Sequence, residues 1–254
     1  MSIFKFGILS IIFILYSSLG IARGIGETEI TTDDGIEVFQ NEKYYLLKKN
    51  VVITSDDFEI NSDRIKANFE KDLYDITSLE TKGNSKLNGV KYGITGKGDE
   101  MYINIKSEEI IVRGIRSILN LEDTMMSSDG LIKVNNSLGT FELIGANSNL
   151  KNNDLDIHGK FISGSFLESG DKKQINKLNI EDEDSLKIIT ENLEMHSQKA
   201  IYNKETNIIE LFSKVKIKKD QEIITGDYGY FDTEKKSYKV KSNNNSKVKI
   251  TLQN

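Results

Sequence analysis

The sequence predicts an all-β protein made of short antiparallel strands. After residue 35, apolar and polar residues alternate with a period of two, as in the segment Met101-Tyr102-Ile103-Asn104-Ile105. No segment beyond the N-terminus keeps a helical period for three turns, and the chain contains no proline, which suits long paired strands. Asn, Asp, Gly and Ser separate the alternating segments, so we expect about fifteen to twenty strands, at the spacing typical of sandwiches and barrels.

The N-terminus has the features of a secretory signal peptide. Lys5 precedes an uncharged run of eleven residues, Phe6 to Tyr16, and a small-x-small cleavage signal ends at Ala22. A membrane-spanning helix needs roughly 20 apolar residues, so this run is short for a span. We therefore predict a signal peptide over residues 1–22 and export to the periplasm, with an uncleaved inner-membrane anchor as the alternative.

The composition limits the classes of function. The chain has no cysteine, which excludes lipoprotein processing, disulfides and thiolate chemistry. The net charge of −5, together with export and the lack of any reading motif, argues against a nucleic-acid partner. Lysines concentrate in the last quarter of the chain, where they either discourage edge pairing or steer an anionic ligand. No linker divides the chain, so we expect one elongated domain over residues 23–254.

One segment of the chain is repeated. Residues 50–63 align without a gap on residues 214–227, at an offset of 164, and a fainter copy lies 66 residues after the first. The three units span about residues 37–69, 103–135 and 201–233. In each unit a small residue precedes an aspartate, namely Asp63, Asp129 or Asp227. We interpret these aspartates as caps of turns or bulges rather than catalytic groups.

The sequence shows no catalytic or metal-binding motif. His158 and His196 are the only histidines, and neither lies in an HxxxH or HExxH pattern. Adjacent carboxylates on a strand point to opposite faces, and Asp182 and Asp184, which could share a face, lie in an acidic run typical of a solvated loop. We therefore predict no enzyme activity, no catalytic residue, no metal and no cofactor.

The inner face of the predicted sheet carries aliphatic and aromatic residues. A small closed barrel fills such an interior with side chains, whereas a wider or open-ended sandwich leaves an apolar groove. Burial of an acyl chain contributes about 0.8 kcal/mol per CH₂, so a groove can hold a lipid without a catalytic group. The candidate lipid-binding residues are Ile53, Phe58, Ile60, Leu119, Met126, Phe141, Leu143, Val215, Ile217, Tyr228 and Tyr230.

Two other functions fit the same alternation. A structural or adhesive exported β-sandwich has a filled interior instead of a groove. A carbohydrate-active β-protein needs a carboxylate pair that faces a cleft, for which Asp63 and Asp227 are the test residues.

The repeated unit resembles the OstA-like repeat of the LptA family of periplasmic lipopolysaccharide-transport proteins. The matching segment is AIYNKETNIIELFSKVKIKKDQEIITGDYGYFD, residues 200–232, and the first unit repeats its pattern. An LptC-like member of the same group, anchored in the inner membrane, is the alternative. The resemblance implies a twisted antiparallel β-jellyroll with an apolar interior groove, in which the acyl chains of lipid A travel.

The resemblance also implies partners. These are lipopolysaccharide, an LptC-like inner-membrane component and an LptD-like outer-membrane translocon, which the protein bridges for outer-membrane assembly. Subunits of the family join head to tail through edge strands, and unpaired backbone groups at a sheet edge suit such pairing. The terminal segment Ser246 to Leu252 is the expected docking edge.

Overall fold

The computed structural model describes residues 28–71, 75–152, 155–169, 172–243 and 246–252, so the signal segment lies outside the described residues. These residues form eighteen strands and one short 3-10 turn, Val90–Tyr92, which confirms the all-β prediction. None of the described segments forms a helix that is long and apolar enough to cross a membrane. The strands are β1 Glu29–Thr31, β2 Ile36–Phe39, β3 Tyr44–Thr54, β4 Glu59–Phe69, β5 Ile76–Gly89, β6 Ile94–Asn104, β7 Glu109–Arg113, β8 Ser117–Leu121, β9 Thr124–Ser128, β10 Leu131–Asn135, β11 Thr140–Asn152, β12 Leu155–Ser169, β13 Lys172–Ile189, β14 Glu194–Asn203, β15 Ile208–Lys219, β16 Glu222–Asp232, β17 Ser237–Lys241 and β18 Lys249–Leu252.

The strands build a β-jellyroll of two facing layers, because most of the long strands bend and contribute to both. In β3, residues 44–48 pair with residues 64–68 of β4, whereas residues 51–54 pair with residues 59–62. We call the layer that contains residues 44–48 layer A and the layer that contains residues 51–54 layer B. Neighbouring strands pair antiparallel, and β7 and β10 belong to layer A, whereas β8 and β9 belong to layer B.

The bends explain the sequence repeat. The register of β3 shifts between Lys48 and Val51, and the register of β15 shifts between Phe212 and Val215, which are the positions 164 residues later. Both bends contain two successive residues in the left-handed conformation, residues 49–50 and residues 213–214. In the middle unit the same path is broken into separate strands, β7 to β10. The two aligned segments therefore bend in the same way at the same positions.

Aspartates of the repeat cap these bends, as the sequence predicts. An oxygen of Asp63 accepts a hydrogen bond of 2.8 Å from the side chain of Asn84. Asp129 accepts bonds of 3.1 Å from the backbone N–H and 2.7 Å from the side chain of Asn147. The bonds from Asn147 lower the pKa of Asp129, because they favour its charged form. These aspartates lie on the bent side of the jellyroll and hold neighbouring strands together.

Inward-facing side chains of both layers form one apolar cluster. Inside it, the alternation of buried and exposed residues follows the strand period of two. The largest fully buried side chains are Leu47, Ile53, Ile60, Ile65, Leu79, Leu119, Met126, Ile132, Leu143, Leu150, Ile157 and Ile162.

Short strands end each layer. At one end, β1 pairs with the layer B part of β3 and β2 pairs with its layer A part. At the other end, β17 and β18 pair in the same way with the two parts of β16. The predicted docking segment thus contains β18, whose four residues are all exposed. Each end presents short edge strands from both layers.

Candidate lipid-binding interior

Most of the predicted lipid-binding residues lie on the inner faces of the two layers. Eight of them are at most 3% exposed and belong to the apolar cluster. They are Ile53, Ile60, Leu119, Met126, Phe141, Leu143, Val215 and Ile217. Phe141 also stacks at a tilt on Phe166, with 4.7 Å between ring centroids. The structure places these residues where the sequence predicts, and their contact with a lipid stays a prediction.

Phe58 marks an opening into this interior. It is partly buried, packs against the apolar cluster and lies in the turn between β3 and β4. Beside it is a cavity of about 200 Å³. The cavity reaches both layers, because Ile60 and Ile94 line it from layer B and Ile103 and Ile110 line it from layer A.

The cavity is also lined by residues outside the predicted lipid-binding set, including Leu79, Leu87, Ile94, Ile103 and Ile110. The apolar–polar alternation around Ile103 indicates which residues of the strand face inward, but it does not distinguish the inward residues that border a cavity. Only the crossing of the two layers decides which inner residues leave space between them. Polar groups of Asp57, Asn104, Glu108 and Asn136 line the same cavity.

The prediction that Tyr228 and Tyr230 face inward is wrong. Their neighbours Gly229 and Phe231 pair with buried residues of β15, so the two tyrosines lie on the outer face. Tyr228 donates a hydrogen bond of 2.6 Å to Glu210, and this carboxylate raises the pKa of Tyr228 to about 12. The aromatic ring of Phe212 packs edge-on against Tyr228 on the same outer face.

A change of parity at Asp227 is the physical reason. Gly226 pairs with the buried Val215, but Tyr228, only two residues later, pairs with the outward Phe212. Residues two positions apart normally lie on the same face of a strand. Here they lie on opposite faces, because β16 bends at Asp227, where it passes from layer B to layer A. The carboxylate of Asp227 accepts a hydrogen bond of 2.8 Å from the backbone N–H of Asn243 and so caps this bend.

The hairpin turns of the two layers face each other on the side opposite the bends. We call the line between these turns the mouth of the jellyroll. Polar contacts cross it: the backbone N–H of Lys173 donates to Glu122 at 2.9 Å, and Lys236 pairs with Glu191 at 3.2 Å. The turn that holds Phe58 instead borders the cavity. Polar contacts therefore bridge the layers at Glu122 and Glu191, and a cavity lies between the layers near Phe58.

Large apolar side chains are exposed near the mouth. Val90, in the 3-10 turn between β5 and β6, is 72% exposed, and Leu138, in the turn between β10 and β11, is 73% exposed. Ile105, in the turn between β6 and β7, is 44% exposed and also lines the cavity. Apolar groups thus extend from the cavity to the surface along the turns.

The described residues contain no cluster of His, Cys, Asp or Glu that could hold a metal ion. His158 contacts Asp156 at 3.0 Å, and burial lowers the pKa of His158. His196 contacts Glu194 at 2.7 Å, and this bond lowers the pKa of Glu194. Each histidine has a nearby carboxylate on its own strand.

The expected acidic loop is not a loop. Glu181 to Asp184 lie within β13, in an irregular step where four residues separate Glu181 from Leu186 in the pairing register. Lys160 on β12 binds Asp184 at 2.6 Å and Glu183 at 3.0 Å, which raises the pKa of Lys160. A strand bend, not a surface loop, accounts for this acidic run.

Known protein families match two parts of this chain. A family model described as LptA/(LptD N-terminal domain) LPS transport protein matches residues 29–136, and a model described as OstA-like protein matches residues 166–252. The chain belongs to the OstA-like, LptA-related family. The residues between the two matched segments of this OstA-like chain include β11, which pairs with β9 and β10 on one side and with β12 on the other.

One solved structure is similar over part of the OstA-like chain. It is the crystal structure of LptH, described as the LptA homologous periplasmic component of the lipopolysaccharide transport device from Pseudomonas aeruginosa. The two chains are 10% identical, the match covers 52% of this chain and 95% of LptH, and the TM-score is 0.43. The search of curated proteins found no match.

Proposed function

We propose that the protein is a non-enzymatic periplasmic carrier that binds lipopolysaccharide through its acyl chains between the two layers. The observation that carries this proposal is the apolar cavity at the mouth, which joins the inner faces of both layers. The family match supports lipopolysaccharide as the ligand class. Acyl chains need only apolar surface, and each buried CH₂ contributes about 0.8 kcal/mol.

The size of the cavity sets a condition on loading. An apolar cavity of about 150 Å³ is known to hold a benzene-sized molecule. The cavity here measures about 200 Å³, so it accepts a short part of one acyl chain. A lipid with several chains therefore requires the layers to separate at the mouth, where noncovalent contacts hold them together, and not at the bends, where the strands are continuous.

Photo-crosslinking tests the site. A photoreactive phenylalanine analogue at Phe58, beside the cavity, should label lipopolysaccharide, because its ring packs against the inner cluster. The matched control is the same analogue at Tyr230, an aromatic position on the outer face. Strong labelling from Phe58 and little from Tyr230 supports the proposal. Equal labelling from both positions, or labelling from Tyr230 alone, contradicts it.

We also propose that copies join head to tail, as part of a bridge between an LptC-like inner-membrane component and an LptD-like outer-membrane translocon. Apolar inner-face residues are exposed at both ends: Ile36 and Val38 on β2 are each 47% exposed, and Ile250 on β18 is 62% exposed. Charge favours pairing of the C-terminal end of one copy with the N-terminal end of the next. Residues 28–39 carry four acidic and no basic side chains, whereas residues 237–252 carry four lysines and no acidic ones.

A further inference from the structure

A second concave surface lies on the outer face of layer A. It is a trough of about 590 Å³ over strands β10 to β14, separate from the interior cavity. Small residues of β12, Ser163 and Ser165, line its middle. Glu142 flanks them from β11 and Lys177 from β13, as the register partners of the two serines. The volume lies within the range of about 300 to 1,000 Å³ typical of small-molecule sites.

Gly164 lies between the two serines of the trough and faces the inner cluster, beside the buried Phe141 and Leu178. A Cβ atom at Gly164 would lie 2.3 Å from the backbone oxygen of Lys177 and 2.6 Å from the ring of Phe141. Glycine therefore allows β13 and the Phe141 ring to approach β12 closely, as glycine in a strand often does. With a serine on each side of the glycine, the centre of the trough has no long side chain.

The polar groups in the trough are largely uncommitted. Among the described residues, the hydroxyls of Ser163 and Ser165 have no hydrogen-bond partner, and Lys177 forms no ion pair. Asn179 adds an amide that donates to Glu181 at a long 3.3 Å, and the half-buried Ile201 adds one apolar side chain. Hydroxyls, an amide, the carboxylate of Glu142, the unpaired Lys177 and one apolar side chain match the chemistry of a sugar, with Lys177 positioned for an anionic substituent.

We propose that this trough binds a saccharide, with the hydroxyls and amide contacting sugar hydroxyls, Ile201 packing on a sugar ring and Lys177 binding an anionic substituent. The site is independent of the proposed lipid site, since its polar residues lie on the opposite face of layer A. The saccharide has two sources, the glycan part of a lipid or a free cell-wall glycan, and the same chemistry recognises both.

The test is titration of the full exported chain, labelled with ¹⁵N, with two probes free of acyl chains. One probe is delipidated lipopolysaccharide saccharide, and the other is a muramic-acid-containing glycan fragment. Amide shifts confined to the trough strands around Ser163 and Lys177 support the site, and the probe that produces them identifies the source. No shift there with either probe, or shifts only near Phe58, overturns the proposal.

Two variants sharpen the test. Ser163→Trp fills the middle of the trough and should abolish binding, whereas Ser237→Trp, an exposed serine on the outer face of β17, should leave it unchanged. Lys177→Gln should weaken binding about tenfold, the effect of losing one hydrogen bond to a charged group. Unchanged affinity of Ser163→Trp contradicts the assignment, and the amide spectrum of each variant shows whether it folds.

Discussion

Closing the mouth covalently should block lipid loading. The backbone nitrogen of Lys173 lies 2.9 Å from a carboxylate oxygen of Glu122, so thiols introduced at these two positions can be joined by a short reducible reagent. The chain has no native cysteine, and Glu122→Cys/Lys173→Cys therefore carries the only two thiols. The crosslink holds a turn of layer A against a turn of layer B.

The polar part of the opening cost follows from the two contacts described at the mouth. The exposed Lys236–Glu191 pair contributes at most about 1 kcal/mol, and the bond from the Lys173 N–H to Glu122 about 1.5 to 3 kcal/mol. Burial of roughly three to five CH₂ groups, at about 0.8 kcal/mol each, offsets this sum. On the proposed route, the acyl chain also replaces apolar contacts between the inner faces, so the native mouth can open to lipid, whereas the covalent bridge stays closed. We expect the crosslink to reduce loading at least tenfold.

The assay is co-migration of labelled lipopolysaccharide with the protein before crosslinking, after it, and after reduction. The matched control is Glu70→Cys/Lys106→Cys, since these two side chains form a pair between neighbouring turns of layer A and do not cross the mouth. If crosslinking lowers loading of the Glu122→Cys/Lys173→Cys protein but not of the control, and reduction restores it, the result supports lateral entry. If the bridged protein loads as well as the reduced protein, the lateral route is refuted and lipid enters by the ends.

Three further results are expected. Asp129→Ala should lower the free energy of unfolding by about 1 kcal/mol in urea titrations, because its bend loses the bonds from Asn147. An unchanged free energy of unfolding would show that water replaces the carboxylate. Folding lowers the pKa of Asp129 from 3.8. Its carboxylate therefore stabilises the folded protein fully above pH 3.8, and this contribution is lost as the pH falls through the folded-state pKa. Thermal unfolding scans of Asp129→Asn should lack this loss of stability at acidic pH. Replacing Lys247 and Lys249 by Glu should weaken self-association measured by sedimentation, and Glu29→Lys/Asp33→Lys in the partner copy should restore it; equal association of all combinations would exclude charge pairing between the ends.

The sequence predicts the inner face well wherever a strand stays within one layer. Val215 and Ile217 alternate with lysines, and the structure buries both. Ile53 and Ile60 behave in the same way in the first unit. Period-two alternation is a local property, so it needs no knowledge of the other layer.

Parity across the bends could not be predicted in the same way. The left-handed pairs at these bends are Lys49 with Asn50 and Ser213 with Lys214, residues that carry no strong turn signal apart from the asparagine. Tyr228 lies just beyond such a bend, so the alternation of Val215 and Ile217 does not extend to it. A pairing register is needed to see that β16 changes faces at Asp227.

The cavity, the mouth contacts and the trough depend on long-range geometry. Glu122 and Lys173 are 51 residues apart, and no local pattern relates them. The trough requires small residues on β12 between longer side chains on β11 and β13, which only the strand order brings together. The repeat predicts the shared bends, but not which turn of one layer faces which turn of the other.

The two sides of the jellyroll differ in what resists opening. On the bent side, continuous backbone joins the layers, and the buried hydroxyl of Thr81 in layer A donates a hydrogen bond of 2.6 Å to Ser85 in layer B. On the mouth side, the two described polar contacts, at Glu122 and Glu191, lie beyond the segment that contains the cavity. The cavity at Phe58 already leaves space between the layers, whereas polar contacts bridge them at Glu122 and Glu191. On the proposed lateral route, a lipid that enters at the cavity and moves toward β18 passes the Glu122 contact and then the Glu191 contact, so we expect these two contacts to act as successive barriers.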